Sequence, residues 1–184
     1  TYVSVANADD AAAAIGAGGG SLLVPPMDVI DVGRMAVASD PAGALFSVWE
    51  PRSHPGAALV NEPGALCWNE LTTRQPEASI AFYGSVFGWT ASTTTDPMPY
   101  TEFQLDGRAI GGMMAMEGDM WPPEMPNHWM VYFAVADVDA TAARCVELGG
   151  ATPVPPTDIP PGRFAVLTDP AGAVFSVIQF AQPL

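Results

Sequence analysis

The chain has 184 residues, of which 49% are apolar, and a formal net charge of -14 with only six basic residues, all of them arginine. This composition provides a substantial core and excludes a disordered chain. The acidic charge repels phosphate backbones and anionic lipid surfaces, so we expect neither nucleic acid nor a membrane as a partner. Two cysteines, Cys67 and Cys145, are too few for a disulfide framework, which favours reduced thiols and a cytoplasmic location.

A long internal repeat organises the sequence. The stretch VGRMAVASDPAGALFSVWEP (32–51) matches PGRFAVLTDPAGAVFSVIQF (161–180), and YVSVANADDAAAAIGAGGG from Tyr2 matches YFAVADVDATAARCVELGG from Tyr132. Self-similarity at a long offset indicates repeated structural units. Each copy predicts a strand, a helix and two or three further strands, the last two joined by an Asp-Pro-Ala-Gly turn. The predicted unit is βαβββ.

The first copy begins with a strand at Val3 and continues into a helix with Asn7 as its N-cap. A linker follows at 51–62. The middle of the chain is a more diverged unit, with a strand in ALCWNELTTRQ and a helix in PEASIAFYGSVFG that starts at Pro76 and ends at Gly88. An Asp-Gly pair at 106–107 predicts a hairpin turn.

The last copy predicts a helix with Asp137 as its N-cap. A buried stripe is expected along this helix at four positions: Val138, Ala142, Cys145 and Val146. Arg34 and Arg163 precede equivalent strands of the two copies. This repetition favours structural ion pairs with nearby carboxylates over substrate recognition.

Together, PEASIAFYGSVFGW, NHWMVYFAVADVDA and GRFAVLTDPAGAVFSV resemble the vicinal oxygen chelate superfamily, which includes glyoxalase I, bleomycin-resistance proteins and extradiol dioxygenases. The similarity is greatest to its two-domain, actinobacterial glyoxalase-like branch, some members of which carry the label hydroxylase. The resemblance implies an α+β fold in which tandem βαβββ modules pair into cup-shaped half-barrels.

The resemblance also implies a domain organisation. Residues 63–184 are expected to form one complete domain from two modules, 63–115 and 127–184. Residues 1–50 are then the second module of an N-terminal domain whose first module is absent. An unpaired module exposes apolar surface, so we expect either that missing module or a homodimer to complete it.

In metal-dependent relatives, a His or Gln and a second His on first strands, with a Glu on a last strand, bind the metal. The corresponding positions here are Trp68, Met130 and Ser176, which suit no divalent metal. The expectation is therefore a protein without a metal cofactor. The alternative is a shifted zinc, nickel or iron site that uses Glu70 and His128. The simpler interpretation is that His128 caps a loop end or bonds a backbone carbonyl.

Strand alternation and the family resemblance together place a set of side chains in the cup: Trp68, Glu70, Thr72, Met114, His128, Met130, Tyr132 and Ser176. They predict a site for a small apolar or carbonyl-containing organic molecule, comparable with drug-binding relatives. The alternative is a glyoxalase-like lyase or isomerase. In that case Glu70 is the candidate general base, because burial raises the pKa of a carboxyl group. The sequence does not decide between binding and catalysis.

Overall fold

A computed structural model describes residues 1–96, 99–119 and 121–182, so the last two residues of the predicted 127–184 module lie outside the described part. The chain contains three consecutive βαβββ modules, as the sequence predicts. The first comprises β1 (Tyr2–Ser4), α1 (Ala8–Ala17), β2 (Ser21–Val29), β3 (Gly33–Ser39) and β4 (Leu45–Pro51). The second comprises β5 (Leu66–Thr73), α2 (Pro76–Phe87), β6 (Thr90–Thr94), β7 (Tyr100–Leu105) and β8 (Arg108–Ala115). The third comprises β9 (His128–Ala134), α3 (Val138–Glu147), β10 (Ala151–Ile159), β11 (Gly162–Thr168) and β12 (Val174–Phe180).

Contacts group the chain into two compact units. Unit 1 comprises residues 1–56 and 69–129, and unit 2 comprises residues 57–68 and the chain from Met130 onward. The predicted linker at 51–62 and the pairing of the 63–115 and 127–184 modules stay predictions.

Unit 1 is built from the first module and most of the second. The first module forms a sheet in the order β1-β4-β3-β2, with β1 parallel to β4. The second contributes β5, β8, β7 and β6 in that order. The helices α1 and α2 pack against each other. One core joins both modules through Ile15, Phe46, Leu71, Tyr83 and Phe103.

Unit 2 has its own smaller core. Its strands run in the order β10-β11-β12-β9, and the first residues of β5 lie beside β9. The buried face of this sheet packs on α3 through Val138, Ala142, Leu167 and Val177. The predicted stripe on α3 is wrong at one position, because the side chain of Val146 is 55% exposed. The stripe therefore faces the sheet only at its other three positions.

The local signals for helix and turn boundaries are confirmed. The side chains of Asn7 and Asp137 accept hydrogen bonds from backbone N–H groups three residues later, as N-caps do. The helix α2 starts at Pro76 and ends at Gly88, whose φ of 71° is left-handed. The Asp106-Gly107 pair turns with positive φ at both residues, as a type I′ hairpin requires. None of the helices in the described residues is long and apolar enough to cross a membrane.

Candidate functional site

The strand β5 carries three of the predicted site residues on one side. Trp68, Glu70 and Thr72 alternate with residues whose side chains point the other way. Within unit 1, Glu70 pairs with Gly112 and Thr72 with Met114 on the parallel neighbour β8. The opposite face of this strand pair, at Leu71 and Met113, belongs to the core shared with α2. Glu70, Thr72 and Met114 therefore lie on the face that α2 does not cover.

Glu70 and Thr72 are buried polar groups, with 7% and 3% of their surface exposed. Both lie next to apolar residues, since Leu71 on the same strand is fully buried and Met114 stands opposite Thr72. Burial of a carboxyl group is the condition on which a role as general base depends. Glu70 therefore remains a candidate general base.

In unit 2, Ser176 and Tyr132 stand opposite each other on β12 and β9. The next residue, Val177, packs towards α3, so Ser176 and Tyr132 lie on the face away from that helix. Met130 shares that side of β9 by alternation and is half-buried. Ser176 is fully buried, and its Oγ has no hydrogen-bond partner among the residues described. A buried hydroxyl of this kind normally bonds to a water or a ligand.

His128 starts β9 and lies within unit 1. Its Nδ1 is 2.8 Å from the carbonyl oxygen of Pro126. Because a carbonyl oxygen only accepts, Nδ1 is the donor in this hydrogen bond. The expectation that His128 bonds a backbone carbonyl is confirmed.

The residues present do not fit the metal of the superfamily. Within residues 1–96, 99–119 and 121–182, no group of three His, Cys, Asp or Glu side chains is placed to hold a metal ion. At the predicted ligand positions the donors are an indole, a thioether and a hydroxyl, from Trp68, Met130 and Ser176. Zinc, nickel and iron sites normally take at least three imidazole, carboxylate or thiolate ligands.

The two repeated arginines form structural ion pairs, as predicted. Arg34 bonds Asp9 through Nε and Nη2 and bonds Asp28 through Nη1, at 2.8–3.0 Å. Arg163 makes the same bonds to Asp139 and Asp158, at 2.7–3.0 Å. These hydrogen bonds hold the pKa values of Asp9, Asp28 and Asp139 below their ordinary range. Each arginine joins the start of a helix to a strand of its own module.

No pattern in the sequence indicates the buried hydrogen-bond chain of unit 1. Tyr83 on α2 donates to Oδ2 of Asp40 at 3.1 Å, and Nε1 of Trp129 donates to the Tyr83 hydroxyl at 2.8 Å. The other oxygen of Asp40 accepts from the backbone of Ala42 and Ala44. Burial raises the pKa of Asp40, although these hydrogen bonds oppose the rise. Burial and the neighbouring Asp40 raise the pKa of Tyr83.

Comparison with protein families matches residues 65–177 to the Glyoxalase/Bleomycin resistance protein/Dioxygenase superfamily. CFP32 of Mycobacterium tuberculosis, which is named as a glyoxylase, is 44% identical over 182 residues, covering 97% of this chain and 68% of its own. The anthracycline biosynthesis protein DnrV of Streptomyces peucetius is 38% identical over 188 residues. That match covers 98% of this chain and 65% of DnrV. Both relatives are thus longer than this chain by about a third of their length.

Solved structures support the fold. The Mn(II)-bound glyoxalase from Novosphingobium aromaticivorans superposes with a TM-score of 0.64 at 16% identity, over 100% of this chain and 65% of its own. The 2,2',3-trihydroxybiphenyl 1,2-dioxygenase from Sphingomonas wittichii superposes with a TM-score of 0.63 at 14% identity, over 100% of this chain and 70% of its own. At these identities the likeness concerns the fold alone.

Proposed function

The chain belongs to the Glyoxalase/Bleomycin resistance protein/Dioxygenase superfamily, and on that premise we propose that it binds a small, flat, apolar or carbonyl-containing organic molecule without a metal. The proposed ligand-contacting residues are Trp68, Glu70 and Thr72, which strand alternation and the resemblance assign to the cup. The observation that supports this proposal is that the positions at which the resemblance predicts metal ligands hold an indole, a thioether and a hydroxyl, and that the Oγ of Ser176 has no hydrogen-bond partner among the described residues.

Each group on β5 has a role that its chemistry allows. Trp68 is half-buried, and an indole stacks well against a planar ligand. Glu70 supplies a buried carboxyl group for a hydroxyl or ammonium group of the ligand. Met114, opposite Thr72, adds a flexible apolar side chain that adapts to different ring shapes.

The relatives indicate the ligand class. DnrV is named for anthracycline biosynthesis, and an anthracycline combines a flat aromatic ring system with carbonyl and hydroxyl oxygens. A net charge of -14 also favours cationic over anionic ligands. Daunorubicin, an anthracycline with a protonated amine, is therefore the appropriate probe.

Binding of daunorubicin is measured by quenching of its own fluorescence in the wild type, in Trp68→Ala and in Trp121→Ala. Trp121 lies outside every strand and helix and is the matched control for loss of an indole. We expect Trp68→Ala to weaken binding by about 1–3 kcal/mol, because a stacked indole is an anchor residue. Trp121→Ala should retain the wild-type affinity.

Two results contradict this proposal. The first is an unchanged affinity of Trp68→Ala accompanied by lower stability, which assigns Trp68 to the core. The second is equal weakening in both variants.

A lyase or isomerase of the glyoxalase type is the second candidate, favoured by the burial of Glu70. It predicts turnover of the hemithioacetal of methylglyoxal and glutathione, and loss of that turnover in Glu70→Gln. If Glu70 only binds ligand, the wild type shows no turnover and Glu70→Gln weakens daunorubicin binding. The free thiols of Cys67 and Cys145 support a cytoplasmic location as part of the proposal.

A further inference from the structure

Asn127 connects the start of β9 to two other parts of unit 1. Its Nδ2 donates to the carbonyl oxygen of Ala42 at 2.6 Å. Its Oδ1 accepts from the backbone N–H of Arg74, directly after β5, at 2.7 Å. The oxygen and the nitrogen of this half-buried amide are therefore both hydrogen-bonded. Asn127 ties the residue before His128 to the first module and to the end of β5.

Trp129, on the other side of His128, is tied to the same turn of the first module. Its Nε1 donates to the hydroxyl of Tyr83, which donates to Asp40. The rings of Trp129 and Tyr83 also meet edge to face, with their centroids 5.4 Å apart. The other oxygen of Asp40 accepts from the backbone N–H of Ala42, whose carbonyl bonds Asn127. Both neighbours of His128 are thus connected to one carboxylate.

The matching turn of the third module shows that a turn of this kind forms without such contacts. Asp169 accepts the same two bonds from its turn backbone as Asp40 does. Among the described residues no side chain donates to Asp169, whereas Tyr83 donates to Asp40. The turn therefore does not require the bonds from Tyr83 and Asn127, and the element that these bonds fix is β9.

Trp129 also decides which face of the sheet His128 occupies. Within unit 1, Trp129 packs against the core beneath α2, with its ring centroid 6.2 Å from that of Phe103. Since neighbouring residues of a strand point to opposite faces, His128 lies on the other face. The strand β5 is the neighbour of β9 in the sheet, and Glu70 and Thr72 also lie on the face that α2 does not cover. His128 therefore shares a face with two of the proposed ligand-contacting residues.

The imidazole of His128 has one nitrogen engaged. Its Nδ1 bonds the carbonyl oxygen of Pro126 at 2.8 Å, and its Nε2 bonds none of the residues that the structure describes. We propose that Asn127 and Trp129 are positioning residues, which hold this imidazole so that Nε2 forms a hydrogen bond with a polar group of the ligand. The inference rests on the proposed function. It gives His128, and through it the turn of the first module, a part in that function.

The first measurement records the imidazole signals without any ligand. The chain has two histidines, His54 and His128, so a His54→Gln background leaves one imidazole to observe by NMR. At about pH 8.5, where an ordinary imidazole is neutral, long-range proton–nitrogen correlation spectra show which ring nitrogen carries the proton. Without further substitutions we expect the proton on Nδ1, because the carbonyl oxygen of Pro126 only accepts.

Three variants test whether this proton stays on Nδ1. Asn127→Ala removes both bonds of the amide, and Tyr83→Phe removes the hydroxyl that accepts from Trp129. Asn7→Ala is the matched control, because it removes a side-chain bond to a backbone N–H elsewhere in unit 1. We expect the first two variants to give a mixture of both tautomers and the control to retain the original signals. Cooperative thermal unfolding verifies that each variant is folded.

The second measurement is the affinity for daunorubicin, with and without His128→Ala. When His128 is present, Asn127→Ala should weaken binding roughly three- to tenfold, the value of one hydrogen bond. In the His128→Ala background the same substitution should change the affinity by less than about twofold, because a positioning residue acts only through the group that it holds. Asn7→Ala should leave the affinity unchanged in both backgrounds.

Unchanged imidazole signals in Asn127→Ala or in Tyr83→Phe overturn the role of the corresponding neighbour of His128. An equal change in Asn7→Ala also overturns the proposal, because it indicates a general loss of stability. So does a weakening by Asn127→Ala that persists undiminished without His128. A protein with all these residues intact that binds no daunorubicin overturns the proposed function and the ligand contact of His128 together, whereas the imidazole signals alone decide whether the ring is held.

Discussion

The first and third modules have similar sequences and the same arrangement of strands, helix and ion pairs, but they differ in which elements pack against them. Both place a Ser opposite a Tyr on neighbouring parallel strands, at Ser47 and Tyr2 and at Ser176 and Tyr132. Both fix an arginine between two carboxylates. Asp40, in the turn of the first module, is buried and accepts a hydrogen bond from Tyr83 of α2, whereas Asp169, in the matching turn of the third module, is half-buried. The repeat thus encodes the module, and its neighbour decides which of its surfaces becomes core.

The largest expected effect concerns the two matching phenylalanines. Phe46→Ala should lower the free energy of unfolding by about 3–5 kcal/mol, because it leaves a cavity beneath three rings of α2. Phe175→Ala should cost roughly half as much, because Phe175 is only half-buried. Urea unfolding monitored by circular dichroism measures both. Equal losses would mean that α2 adds nothing to the burial of Phe46.

The next effect concerns the hydrogen-bond chain that exists only in unit 1. Tyr83→Phe removes the hydroxyl and leaves both Asp40 and Trp129 without that partner. The expected loss is about 1–3 kcal/mol, the cost of unsatisfied buried polar groups. Tyr2→Phe is the control, since Tyr2 lies at the start of β1 and is 61% exposed. If Tyr83→Phe lowers the free energy of unfolding by no more than this control does, the hydrogen bonds of Tyr83 do not stabilise unit 1.

Asp40 should make the stability of unit 1 depend on pH. Burial raises its pKa in the folded state above the ordinary value of 3.8. The folded protein then binds more protons than the unfolded one between these two pKa values, so this contribution to stability falls as pH rises through that window. Asp40→Asn removes this titrating group. The free energies of unfolding of wild type and variant, measured from pH 3 to pH 8, should therefore diverge as pH rises, because that of the wild type decreases relative to that of the variant. Parallel curves would contradict the buried, raised state of Asp40.

The smallest effect should be the same in both modules. Arg34→Ala and Arg163→Ala each break exposed ion pairs that are screened by water and salt. We expect small and similar decreases in thermal midpoint that shrink further in 1 M NaCl. A much larger decrease in thermal midpoint for one of the two variants would show that the ion pairs of the two modules are not equivalent.

Local signals predicted the modules well. Some boundaries depend only on residues nearby in the sequence: the helix caps at Asn7, Asp137 and Gly88 and the Asp-Gly turn. These boundaries could therefore be predicted from the sequence alone. The exposure of Val146 and the bond between Tyr83 and Asp40 depend on what packs outside the module, which strand and helix periodicity does not report. The strand face of Glu70 followed from alternation, but the chemistry of that face depends on a ligand.

The most direct test of the proposed function is metal analysis of protein purified without chelators, combined with daunorubicin binding before and after treatment with EDTA. The indole, thioether and hydroxyl at Trp68, Met130 and Ser176 predict less than 0.1 equivalent, on the order of background, of zinc, nickel, iron or manganese. They also predict the same affinity for daunorubicin after chelation. Stoichiometric metal whose removal abolishes binding would contradict the account.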